Sequence, residues 1–173
     1  MKIIVALAGV LTCGLMAAPT HAQIKEFQGK WTINKAKSQG PQAATEILTY
    51  EINGDEEHYI VDEVETDGRK FNTEYRAKFD GKEYPNKNLV TGEVNYVKLR
   101  KVFDRTEQLT NIKHEKGPDG KERSVVTGYY IRVLSPDGKS ISSTLINAKG
   151  EVTAVRIFDK IEGGANAMMM KKK

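Results

Sequence analysis

Three carboxylates, Asp62, Glu63 and Glu65, crowd into one four-residue stretch. Two such groups in a cleft can have their pKa values pushed apart and serve as acid and base, as glycoside hydrolysis requires. An acidic run on an alternating strand is more commonly its solvated face, so a carboxylate-dependent hydrolase stands third among the functions considered. His58 and His114 each fall on an expected strand without a second strong ligand nearby. A zinc site wants three or four converging His, Cys or carboxylate groups. The only imaginable set is His58, Asp62 and His114, and two surface histidines without a metal is the reading adopted. No Gly-x-Ser-x-Gly elbow, phosphate loop or dinucleotide fingerprint occurs, so the chain offers no catalytic set and implies no cofactor. The aromatic residues Phe71, Tyr75, Phe79, Tyr84, Tyr96 and Tyr129 are the candidate ligand contacts, since such rings give apolar area and, for tyrosine, a polar handle. Small barrels also fill their interiors with rings of this kind.

The elements that must position these groups are strands. Asp67-Gly68, Asp80-Gly81, Asp119-Gly120 and Asp137-Gly138, extended by Asn53-Gly54 and Lys149-Gly150, each lie between runs rich in Val, Ile, Thr, Tyr and Phe. Asp-Gly and Asn-Gly tolerate the positive φ of tight hairpin turns, so the series predicts a meander of short antiparallel strands. Strands are expected at 26–34, 45–53, 58–66, 71–79, 94–103, 107–114, 124–133, 140–147 and 152–159. The 71–79 run alternates without error, with Phe71, Thr73, Tyr75, Ala77 and Phe79 on one face. In 124–133 the apolar side is Val125, Thr127, Tyr129, Ile131 and Val133, while residues 82–92, containing Tyr84-Pro85, read as a polar connection. Sequential strands without helical stretches must protect their edges, and closure does so. The fold class is therefore all-β, an up-and-down antiparallel meander closed as a barrel of about 8–10 strands, with a β-sandwich as the alternative.

Residues Phe27-Gln28-Gly29-Lys30-Trp31 resemble the Gly-x-Trp motif on the first strand of the lipocalins and related calycin barrels. The resemblance implies structural roles for Gly29 and for Trp31, as plug of the closed end. It also implies a counterpart for the arginine that packs over that tryptophan, Arg156 on the last strand. The chain is also similar to a set of secreted bacterial proteins with lipocalin-like patterning. The resemblance rests on Gly29 to Asn34 with Lys37-Ser38, on Ala77 to Pro85, and on Ser135 to Lys139. That resemblance covers most of residues 23–161 and brings no established activity.

Met1 and Lys2 precede an apolar run from Ile3 to Ala18, followed by Thr20-His21-Ala22, the pattern of a secretory signal cleaved after Ala22. The run is shorter than the roughly 20 residues a spanning helix needs. Three segments follow: a signal peptide at 1–22, one barrel domain at 23–161, and a disordered tail at 162–173 carrying three methionines and three lysines. The only cysteine, Cys13, lies in the signal, where lipidation instead of removal is the alternative. A formal net charge of +4, with both signs interspersed along the strands, speaks against a nucleic-acid footprint. The expected protein is a secreted or periplasmic, non-enzymatic monomer without stable membrane insertion. It binds a small apolar or amphipathic ligand. The alternative is a filled barrel serving as an envelope or protein-interaction module.

Overall fold

In the computed structural model, which describes residues 25–161, ten antiparallel strands follow one 3₁₀ turn at Lys25–Phe27. The expected leader at 1–22, with Cys13, and the expected tail at 162–173 lie outside the described residues. The strands are β1 Gly29–Ile33, β2 Thr45–Asn53, β3 Glu56–Val64, β4 Lys70–Lys78, β5 Tyr84–Asn88, β6 Val94–Phe103, β7 Thr106–Lys116, β8 Glu122–Leu134, β9 Ser140–Asn147 and β10 Val152–Ile161. Each pairs with its neighbours in sequence, and β1 pairs with β10 through Trp31 opposite Lys160, so the sheet closes on itself. Closure leaves no free edge, and the sandwich alternative falls with it.

The turns work as their residues suggest. At the β8–β9 hairpin Gly138 has φ +67°, the region glycine enters without steric cost. The Asp137 carboxylate accepts from Ser135 Oγ at 2.6 Å and from the Lys139 amide at 3.1 Å. Such short-range bonds fix the register of both flanking strands and hence which residues point inward.

Three features differ from the sequence reading. The 82–92 connection contains β5, which pairs with β4 over three residue pairs and β6 over four. Pro85 hid it, because proline lacks a ladder donor and normally argues against a paired strand. On β8 the apolar row from Val125 to Val133 faces outward, with Val125 and Val133 exposed, and the interior row is Tyr130, Arg132 and Leu134. His58 is on the outer face yet buried. Glu51 and Glu74 flank its ring at 2.8 Å and 2.7 Å.

Packing divides the barrel into two halves. At one end Trp31 is fully buried among Phe27, Leu48, Leu99, Ile141 and Phe158, and its indole N–H donates to the Phe27 carbonyl at 2.8 Å. The cation over the indole is Lys160, 4.9 Å from the ring centroid, and not Arg156 as the resemblance implied. From this plug a ladder of rings climbs the interior, Phe27 to Tyr50 at 5.6 Å, Tyr50 to Tyr59 at 4.7 Å and Tyr59 to Tyr75 at 5.1 Å. These separations lie within the range of favourable aromatic pairs.

Candidate functional site

Above Tyr59 and Tyr75 the packing stops, and a cavity of about 320 Å³ opens toward the far end of the barrel. Its apolar wall is Val61, Phe71 and Leu109, with the ring of Tyr130. Thr73, Asn86 and Asn111 supply neutral polar groups, and Glu46, Glu63, Glu65 and Arg156 supply charge. Each arrives by strand alternation: Glu46 shares the inward row of β2 with Leu48 and Tyr50, and Glu63 that of β3 with Tyr59 and Val61.

Arg156 binds the wall together. Its Nη1 lies 2.8 Å from Glu46 Oε2 and 4.0 Å from Glu63 Oε2. Burial nonetheless pushes the Glu46 carboxyl up to about 7, because desolvation outweighs the opposing guanidinium and the nearby Glu63 adds to it. Burial also raises Glu63, against Arg156 and with help from Glu65. For Glu46 the folded value lies above the unfolded one, so the folded state holds a proton that the unfolded chain releases. The stability this proton provides is complete below about pH 4.5 and disappears as pH climbs through 7. Wild type is therefore expected to lose stability relative to Glu46→Gln between about pH 4 and 8, by about 3 kcal/mol in total. Urea melts across that window check the slope, and a flat difference would place Glu46 in a more solvated setting.

At and beneath the floor lies a second charged group, almost wholly buried. Arg132 Nη1 donates to Glu107 at 2.8 Å and to the Tyr75 hydroxyl at 3.2 Å, and Tyr75 in turn donates to Glu57 at 2.6 Å. The guanidinium lies over the face of Tyr59, 4.2 Å from its centroid. Burial and the neighbouring Glu107 raise the Glu57 carboxyl well above the usual range, against Arg132 and the Tyr75 bond. A proton held on Glu57 relieves the crowding of two acidic groups about one guanidinium.

The structure brings Phe71 and Tyr75 to the cavity, while Phe79 and Tyr84 pack against the closed half. Tyr96 is on the outer face, stacked on His114 at 3.9 Å. Tyr129 also points outward, beside a shallow rim groove of about 190 Å³ with Asn147 and Thr153. Gly128 belongs to that rim, where a Cβ would come within 2.7 Å of the Ile146 carbonyl. Of the acidic stretch, Glu63 and Glu65 line the cavity and Asp62 faces outward, bonded to Asn72. Gly29, at φ +128°, opens β1 two residues before the buried Trp31. No group of three or more His, Cys, Asp or Glu among the described residues could hold a metal ion.

Sequence reasoning missed Glu46, Glu57, Glu107, Arg132, Asn86, Asn111 and Tyr130. The signal for Glu46 was present, since it precedes Leu48, Tyr50 and Ile52 on their own row. Arg132 had no such signal, as its neighbours offered a more apolar row on the opposite face.

This is an up-and-down antiparallel β-barrel, a closed meander with one end packed and the other hollow. No protein-family model matches the chain, and no curated protein matches it. Among solved structures it is similar to a mutant of the fluorescent protein UnaG, at 17% identity and a TM-score of 0.54, over 80% of this chain and 98% of that one. The likeness is one of fold.

Proposed function

We propose that the protein is a binding barrel that takes a small amphipathic molecule into the cavity above Tyr59 and Tyr75 and performs no covalent chemistry on it. One observation carries the reading. A barrel of ten strands has filled one half of its interior solidly and left the other half hollow, with an apolar wall and a few convergent polar groups. Ligand pockets of about 300–1,000 Å³ have this composition, and the present cavity is at the small end. The two carboxylates best placed for acid–base work, Glu46 and Glu63, share the Arg156 guanidinium, which favours a binding wall over a poised catalytic pair. The Met1 to Ala22 pattern supports a secreted or periplasmic setting for this activity.

The test is displacement of a fluorescent amphiphile by a panel of small aromatic and short-chain compounds, together with fatty acids, isoprenoids and haem. At least one small member is expected to bind below about 100 μM, an affinity worth roughly 5–6 kcal/mol. Thr73→Trp, which fills the cavity from its wall, is expected to weaken that binding at least tenfold while the fold survives. No binding by any member would leave the filled-barrel module as the better reading.

A further inference from the structure

The charges around the hollow half do not balance. Glu46, Glu63 and Glu65 line the cavity against Arg156, and the other lining guanidinium, Arg132, is already matched below the floor by Glu107. Three carboxyl groups thus face the ligand space with one guanidinium among them, and Arg156 is already engaged by Glu46 and Glu63, which leaves Glu65 without a cation on the wall. Buried carboxylates must be neutralised by a proton or by a partner of opposite charge. The wall also holds an acceptor in want of a donor, since Asn86 Oδ1 is buried without a hydrogen-bond partner. The Phe71 ring adds an aromatic surface on the same wall, of the kind that attracts cations, and the Arg69 guanidinium already lies 5.7 Å from its centroid.

We propose that the ligand carries a cationic nitrogen, a primary or secondary amine on a small aromatic or short aliphatic body, seated with its ammonium among Glu46, Glu63 and Glu65. This rests on the binding reading above and names its ligand class. The ammonium would supply the charge that the wall lacks and donate to Asn86, while the apolar body lies against Val61, Phe71 and Leu109. Burial is the first cause of the raised Glu46 carboxyl, and the neighbouring Glu63 adds to it against Arg156. Glu63, Arg156, Arg132 and the hydroxyls of Tyr59 and Tyr130 face that carboxyl region, and the two guanidiniums do not offset the cost of burying it. The Nε groups of Arg132 and Arg156 also lack partners, which makes a carboxylate ligand the competing chemistry.

Calorimetric titration at about pH 8 and low ionic strength separates the two, using 2-phenylethylamine, 2-phenylethanol and 3-phenylpropanoate, which share one body and differ in charge. The amine is expected to bind at least tenfold more tightly than the alcohol, with the propanoate weakest. Glu65→Gln and Glu63→Gln should each reduce amine affinity several-fold and leave the alcohol unchanged. A propanoate that equals or exceeds the amine overturns the inference and leaves the binding reading standing. Failure of all three also overturns it, and reaches the binding reading only if the fluorescent-amphiphile panel fails as well. Equal losses for amine and alcohol in the glutamine variants would show a wall that shapes the cavity without selecting charge.

Discussion

Trp31→Ala is expected to destabilise the barrel by about 3–5 kcal/mol, the range for truncating a fully enclosed large aromatic. The indole is fully buried and holds the 3₁₀ turn through its bond to the Phe27 carbonyl, and Phe27 begins the aromatic ladder that supports the cavity floor. Its loss leaves a void that Phe27, Leu48 and Phe158 cannot close without moving β2, β10 and the 3₁₀ turn. Lys160→Ala should cost much less, about 1 kcal/mol, because a cation over a ring near solvent contributes about that amount. Urea melts of both variants give the ranking directly. Costs within about 0.5 kcal/mol of wild type for Trp31→Ala, the range of ordinary surface changes, would mean that the closed end is held by something else.

Arg132→Met is expected to cost a comparable 3–5 kcal/mol, since removing one partner strands a buried charge. The methionine would fill similar space, so the loss reports electrostatics more than volume. Glu107 would remain in the interior without its cation, and Tyr75 would lose its 3.2 Å contact with the guanidinium. Glu57→Gln should be far milder, about 1 kcal/mol or less, because the amide imitates the protonated acid and can still accept from Tyr75. Measured stabilities in the opposite order would assign the buried proton elsewhere in the group.

Much of this was legible before the coordinates, and the physical reason is turn chemistry. Asp-Gly and Asn-Gly pairs set the hairpins, and the clean alternation of Phe71, Thr73, Tyr75, Ala77 and Phe79 marked an interior row correctly. Alternation separates two faces but does not say which is inside. On β8 the outward row is the more apolar, and only the buried partner Glu107 explains why Arg132 points inward. Register was equally hidden. Arg156 and Lys160 share one face of β10 but stand about 13 Å apart along the strand at roughly 3.3 Å per residue. Which of them meets Trp31 depends on the pairing of β1 with β10. The cavity itself follows from how far the ring ladder fills the bore, a sum over the 3₁₀ turn and three strands that no single motif contains.

The central claim, that the half of the barrel above Tyr59 and Tyr75 receives a ligand, is tested most directly by amide NMR shifts during titration with the tightest compound of the panel. Saturable shifts are expected at Glu46, Glu63, Phe71, Asn86 and Tyr130, with Trp31 and Ile141 at the closed end unmoved. Shifts confined to outer-face positions such as Tyr96 and His114, or none up to millimolar ligand, would contradict it.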